Sequence, residues 1–367
     1  MPNVNVDLIG RNGGEGAVAN ALMANGELNL GRMRPWIGAD GKTYMLMHTG
    51  GDIKVQANWK TVPINTNATL RRDEWKQLDA AIMEVSRQRL GGVEDLKSHG
   101  LTYNLGNAMG TTVLEWHDVG EAMEAALTMD GVTRSPGDRL KFQHNYLPIP
   151  IVHVDYEINA RVLAASRSLG NPLDTTSAER AARRILEKLE DMLFTNTSYS
   201  FGETDDRGRN TIYSYVNHPD INAVTLGTNW DASAKTAAGI LNDVLNMVKA
   251  AVAAYHYGPY MLYIPTDYQT VLYDDYDTTT PGTTIRERIL KIDVIQGIKV
   301  IDKLADDTVV LVQMTSDVVR LVQGFGLMNV EWNTEGGMIT KYKVMTIQVP
   351  QIRSDQNGKS GIVVLSA

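Results

Sequence analysis

The sequence predicts an α+β chain of more than one lobe, with long segments that leave the lobes. Three observations lead there. Residues 176–194 and 231–256 carry the apolar period of long helices. From residue 292 onward the chain reads mostly as strands. Residues 1–68 and 99–152, by contrast, are too poor in self-contained apolar packing to be ordered alone. A length of 367 residues also exceeds one simple core and suggests two or three lobes.

Taken in order, residues 1–68 are rich in Gly and Asn and have little helical period. "PWIGADGKTYMLMH" reads as a hairpin with an Asp40-Gly41 turn, and the rest as an extended arm that needs something to lie on. Residues 69–90 read as a helix, with Trp75, Leu78, Ile82, Val85 and Arg89 in period and Gly91-Gly92 ending it. "TTVLEWHDVG" and "RLKFQHNYLPIPIVHVDYEI" read as two strands around a small, polar stretch with Asp130-Gly131 and Pro136-Gly137 turns. An isolated hairpin is marginal in water, so this excursion should lean on a partner.

"NPLDTTSAERAARRILEKLEDMLF" (171–194) is a long helix. Asn171-Pro172 breaks the preceding structure, and Thr176 with Glu179 has the spacing of a capping box. Ala178, Ala182, Ile185, Leu189 and Met192 form one apolar stripe. Glu179–Arg183 is a favourable i,i+4 pair, while Arg180–Arg184 and Glu187–Asp191 set like charges together, which calls for compensation from other groups. A turn-rich stretch follows. The second long helix has Ala237, Leu241, Val244, Val248, Ala251 and Tyr255 on its buried stripe and stops at Gly258-Pro259. "YMLYIP" is a short buried strand, "TDYQTVLYDDY" a short helix, and "DTTTPGTT" a loop. "KVIDKL", "DTVVLVQM", "VVRLVQG" and "MITKYKVMTIQVPQI" are strands.

Composition excludes several classes. A net charge of −8 with no long Lys/Arg run argues against a dedicated nucleic-acid binder. With no Cys there is no disulfide framework, thiolate nucleophile or Cys-ligated zinc, which fits a reducing cytoplasm. The N-terminus lacks the basic start and apolar core of a signal peptide, and its Met suggests an intact start. No window approaches 18 uninterrupted apolar residues, so no membrane span is read.

Motifs for catalysis are equally sparse. "IGADGKT" has Trp36 where a phosphate-binding loop needs its first Gly, so it reads as a hairpin turn. "GEGAVA" (14–19) follows no good strand and reads as arm. The seven His residues are dispersed; His117-Asp118 and His153-x-Asp155 could ligate metal only by long-range assembly. Asp205-Asp206 and Asp274-Asp275 read as solvated turns, and no Gly-x-Ser-x-Gly elbow occurs. The chain is read as no enzyme and as needing no cofactor; its work lies in its surfaces.

Residues 147–194 bear a resemblance. Leu147-Pro148-Ile149-Pro150-Ile151, Asp155, Ala164-Ala165-Ser166-Arg167 and Leu173-Asp174-Thr175-Thr176 follow in an order that resembles tailed-phage major capsid proteins, especially the branch related to encapsulin (linocin-like) shells. "TMDG" (128–131) suits the same family. The fold this implies is the α+β Hong Kong 97 capsid fold. Its implied divisions are an N-terminal arm (1–68), a peripheral-domain helix (69–98), an E-loop (99–152), a peripheral domain with spine helix 176–194 (153–228), an axial domain (229–330), and C-terminal strands returning to the peripheral domain (331–367).

The resemblance implies a major capsid protein of a tailed bacteriophage, made in the bacterial host cytoplasm. It would self-assemble into pentamers and hexamers of an icosahedral shell around double-stranded DNA. The implied partners are many copies of itself, a portal, and scaffold or decoration proteins; it implies no sequence-specific DNA contact and no membrane. The acidic balance is tolerable because a wall need only enclose DNA. Asp274, Asp275 and Asp277 are expected in a loop at the capsomer axis; Asp130, Arg134, Arg139 and Lys141 at E-loop contacts; and Arg180, Arg184 and Glu187 on a spine rim meeting neighbours. Some relatives crosslink Lys to Asn, but nothing identifies a partner for Lys141, so no crosslink is expected. The alternatives are an encapsulin-like compartment, which the long arm disfavours, and a soluble enzyme with an unrecognised site.

Overall fold

The computed structural model describes residues 35–40, 42–48, 59–63, 70–71, 73–78, 91–106, 108–119, 129, 142–168, 176–196, 198–201, 210–276, 282–334, 338–355 and 358–366. Two sheets and one long helix organise them. The first sheet holds β10 (Asn222–Thr225), β11 (Tyr260–Ile264), β12 (Ile295–Val300), β13 (Val309–Gln313) and β16 (Ile362–Ser366) in the order β10-β16-β13-β11-β12. β11 and β13 are apolar along nearly their whole length because both faces of this sheet are covered. Tyr260, Leu262, Ile264, Val309 and Leu311 point to one core, where α4 (Ala237–Ala253), α5 (Asp267–Val271) and α6 (Ile285–Leu290) supply Val244, Met247, Tyr268 and Ile289. Their alternates, Met261, Tyr263, Val310 and Val312, point to a second core on the opposite face.

That second core belongs equally to α3 (Thr176–Phe194) and to the second sheet. The second sheet has the order β4-β14-β15-β7, from β4 (Thr102–Asn104), β14 (Val319–Thr334), β15 (Ile339–Ile352) and β7 (Val152–Asn159). Val319, Leu321, Tyr342 and Val344 face α3. Val322, Ile347 and Val349 alternate to the far face, where they meet Ala108, Leu147, Ile149 and Ile212. At Gly324, beside a register shift in β14, an added Cβ would lie 2.5 Å from Ala108 Cβ, so only Gly permits this approach.

α3 buries more than its predicted stripe. Ala178, Ala182, Ile185, Leu189 and Met192 are buried, and so are Ala181, Leu186, Glu190, Leu193 and Phe194. A seam becomes a broad face because the helix meets β7 and β15, the helix Gly92–Ser98 and, at Phe194, Tyr263 of the five-stranded sheet. Thr176 is the first helical residue rather than the cap before it, a one-residue difference of the usual kind at helix ends. A fully formed capping box lies at α6. There Glu287 N donates to Thr284 Oγ1 (3.2 Å) and Thr284 N donates to the Glu287 carboxylate.

Other expectations change in detail. Gly91-Gly92 does not simply end the helix before it: α1 (Gly92–Ser98) starts there. Residues 73–78 are helical, with Trp75 and Leu78 buried, and the rest of the predicted helix to 90 lies outside the described residues. The strand read over 139–158 divides into β6 (Phe142–Pro148) and β7, since Pro150 has no N–H to continue a ladder. In α4, Ile240 and Met247 replace Tyr255 on the buried stripe. Tyr255 lies past the C-cap Ala254 and is 69% exposed, with Lys359 Nζ 4.0 Å over its ring. The strand read at 299–304 runs earlier, as β12.

The C-terminal stretch 331–367 is split between the sheets: β15 pairs with β7, but β16 inserts between β10 and β13. Near the N-terminus the expected hairpin forms from β1 (Trp36–Ile37) and β2 (Thr43–His48), with Lys42 N and Tyr44 Oη donating to the Asp40 carboxylate (3.2 and 2.6 Å). A third strand, β3 (Trp59–Pro63), pairs with β2, an element sequence reading missed. Trp75 Nε1 donates to Pro35 O (3.2 Å), which ties this small sheet to the helical segment 73–78.

Leu311→Ala, in a position closed on all sides, should cost about 2–5 kcal/mol, and Thr284→Ala about 1 kcal/mol. Urea unfolding midpoints of the isolated chain measure both.

Candidate functional site

No cluster of metal-ligand side chains occurs among the described residues. His153 Nδ1 lies 3.6 Å from Asp155 Oδ1 and Lys343 Nζ lies 3.8 Å from the same oxygen, so this His-x-Asp pair belongs to a surface ion-pair group. His117 and His144 face each other across β5 (Val113–Val119) and β6, with ring centroids 4.3 Å apart. No described helix is long and apolar enough to cross a membrane. The candidate functional features are therefore surfaces and the junction that orients them.

β5 and β6 form a two-stranded ribbon, paired from Val113↔Pro148 to Val119↔Phe142. Its base is rooted: Leu147 and Ile149 are buried against Val322, Ile347 and Val349. No third strand pairs with it among the described residues. Asp130, Arg134, Arg139 and Lys141 lie in the connecting segment, outside the described residues; the one described residue there, Met129, is fully exposed.

On α3, Arg180 and Arg184 are exposed and Glu187 is partly buried. Arg184 Nη1 lies 2.9 Å from Glu187 Oε2, and Lys303 Nζ lies 3.2 Å from Asp191 Oδ1. Each carboxylate of the like-charged Glu187–Asp191 pair thus has its own cation. Lys303 comes from beyond β12, so this compensation required the tertiary fold.

Asp274 and Asp275 are exposed; Asp277 lies outside the described residues. Their loop leaves through a narrow neck, in which Tyr276 N donates to Thr283 O (2.9 Å) and Ile285 N to Asp274 O (3.0 Å). The structure thus brings Arg184 and Glu187 into contact.

Sequence reading missed the polar junction between the sheets. Glu190, on the last turns of α3, is buried and accepts from Gly92 N (3.0 Å) and Val93 N (3.3 Å). It is the cap of α1, supplied from 98 positions away, because Gly91 has no side chain to serve. Gly92 is required beside it: an added Cβ would lie 2.5 Å from the Phe194 ring. Next to the cap, Asp95 accepts from Tyr263 Oη (3.0 Å) and pairs with Lys299, joining α1 to β11 and β12. His99 Nε2 contacts Gln296 Oε1 (3.0 Å) across the same seam. Burial pushes the Glu190 carboxyl up to about 7, against the two backbone donors, and Asp302 and Asp95 add to the rise. No local signal marks this site, since a Glu near a helix C-terminus reads as solvated surface.

A profile of a family of unknown function, DUF6260, matches residues 65–365. No curated protein matches the sequence. Among solved structures, the chain is similar to the virus-like particle from Pyrococcus furiosus, with a TM-score of 0.57 and 18% identity, covering 79% of this chain and 98% of that one. It is also similar to the capsid of Myoviridae phage XM1, with a TM-score of 0.57, 10% identity, and 76% and 93% of the two chains covered. The capsid of a native GTA particle matches with a TM-score of 0.55, 10% identity, and 76% and 92% covered. These likenesses establish the fold, which is that of the Hong Kong 97 capsid subunits.

Glu190 sets a pH dependence. Its folded value of about 7 lies above the ordinary 4.5, so its contribution is full below pH 4.5 and is lost as pH rises through 7. Over that window subunit stability should fall by about 3 kcal/mol. Glu190→Gln keeps an acceptor for the cap and should flatten the fall, as read by chemical denaturation at pH 5, 6, 7 and 8.

Proposed function

Since the chain belongs to the family of unknown function DUF6260 and has the Hong Kong 97 fold, we propose that it is the major capsid protein of a tailed bacteriophage. In this reading it self-assembles into pentamers and hexamers of an icosahedral shell that encloses double-stranded DNA, and it resides in the virion after synthesis in the host cytoplasm. It acts without catalysis. Its partners are copies of itself, a portal, and scaffold or decoration proteins.

The β5–β6 ribbon carries the proposal. A two-stranded ribbon is at best marginal in water, and this one is rooted at its base and has no third strand among the described residues. Laid on a neighbouring subunit it would bury its faces and exchange chain entropy for interface area. Permanent interfaces bury more than about 2,000 Å², which arm and ribbon together can supply.

Residues 1–68 then act as arm, 69–98 as peripheral helix, 99–152 as E-loop, 153–228 as peripheral domain, 229–330 as axial domain, and 331–367 as a C-terminal segment divided between the sheets. The loop of Asp274, Asp275 and Asp277 faces the capsomer axis, where five or six copies concentrate negative charge. Asp130, Arg134, Arg139 and Lys141 contact neighbours through the E-loop, and Arg180, Arg184 and Glu187 through the spine rim.

A second reading, an encapsulin-like compartment, draws on the likeness to the Pyrococcus furiosus particle, whose 18% identity exceeds the 10% to the phage XM1 capsid. Electron microscopy of the expressed chain should reveal closed shells; a stable small oligomer with catalytic turnover would defeat both shell readings. Nucleic acid inside native particles supports the phage reading, and protein cargo the compartment. Replacing residues 120–141 by a short Gly-Ser turn should leave the subunit folded by circular dichroism while reducing particle yield more than tenfold.

A further inference from the structure

Four partly buried cations in this chain have carboxylate partners, Lys343 with Asp155 among them. Lys235 pairs with Asp243 at 2.5 Å, Lys303 with Asp191 at 3.2 Å, and Lys299 with Asp95. Arg320 on β14 and Arg353, just past β15, are partly buried and have none among the described residues, in common with Lys97, Arg286, Lys341 and Lys359.

Arg320 donates through Nε to Gln351 Oε1, its cross-strand partner, and its guanidinium carbon lies 4.5 Å over the Tyr103 ring. Arg353 reaches only Ser316 O, at 3.5 Å from Nη1. Arg353 Nε is buried with no hydrogen-bond partner, and so is Nε2 of the fully buried Gln351. Two cations and a buried amide donor thus lie together, with unused N–H groups and no anion. Burial, and after it the like charge of Arg353, disfavours the charged form of Arg320. Arg353 follows Gln351 by two residues and its N donates to Val318 O, so strand alternation sets it on the face that Arg320 and Gln351 share.

We propose that Arg320, Gln351 and Arg353 form an oxyanion-binding site, and that its occupant is a carboxylate of a second copy of this chain. A guanidinium presents parallel N–H donors that match the two oxygens of a carboxylate. The chain has 43 acidic and 35 basic residues, so a second copy is an acidic partner. Two arginines do not make the extended basic track that a phosphodiester backbone needs. The occupant rests on the shell reading; the anion site itself does not.

The test uses the full chain as wild type, Arg353→Gln and the Arg320→Gln/Arg353→Gln double variant. In the first arm, thermal unfolding of unassembled subunit is followed in sodium sulfate against sodium chloride of equal ionic strength. Sulfate should raise the wild-type Tm by about 2 °C or more beyond its effect on the double variant. Equal shifts in both overturn the anion site. In the second arm, particle formation is followed by sedimentation. Arg353→Gln should need at least tenfold more subunit to form particles, while its own Tm stays equal or rises because a repulsion is removed. Unchanged assembly, or assembly lost together with Tm, overturns the second-copy carboxylate. Intact particles with reduced DNA content would point to phosphate and overturn it as well. If wild type forms no particles under any condition, the shell reading and this occupant fail together, and the sulfate arm still decides the anion site.

Discussion

The helix Thr176–Phe194 packs along the four-stranded sheet and reaches the five-stranded sheet at Phe194, so it links the two. Its buried residues share one core with Tyr342 and Val344 of the four-stranded sheet and with Tyr263, Val310 and Val364 of the five-stranded sheet. A continuous α-helix cannot bend sharply without opening its i→i−4 ladder, so it transmits one orientation to everything packed on it. Small side chains at Ala178, Ala181 and Ala182 allow close packing at one end, and Leu193 and Phe194 fill the other.

The last turns of that helix carry the costliest contacts. Glu190 is taken out of water to complete a helix of seven residues, and Asp95 is taken out of water to meet Tyr263 and Lys299. Hydrogen bonds of this kind are directional, so they set where α1 sits against the five-stranded sheet more sharply than apolar packing does. The electrostatic cost is visible in the raised Glu190 carboxyl. Along the same seam, Lys303 and Asp191 form a more solvated pair. The subunit interior is therefore a rigid frame, and the ribbon of β5 and β6 projects from it on an apolar root.

The contrast between Asp95 and Arg320 separates two uses of buried charge. Asp95 has its cation and its phenol within the chain. Arg320 and Arg353 have each other, a Tyr103 face and a glutamine. The first arrangement closes on itself, and the second leaves Arg353 Nε and Gln351 Nε2 without partners.

Local periodicity by itself determined the long helix, the buried strand Tyr260–Ile264, the Asp40 hairpin and the β5–β6 pairing, because each is set by side chains a few positions apart or by turn chemistry. The absence of Cys and of a basic run likewise bounded the chemistry before any fold was known. Tertiary structure decided what depends on distant residues. It widened the stripe of α3 to a face by packing a sheet, a short helix and Tyr263 against it, and it moved the buried stripe of α4 off Tyr255. It sent β16 to one sheet and β15 to the other, although both read as apolar strands. It also gave α1 a cap from Glu190 and left Arg320 and Arg353 side by side. Pairing partners and burial are properties of three-dimensional neighbours, and a carboxylate 98 positions from the backbone donors it satisfies leaves no mark in the chain around either.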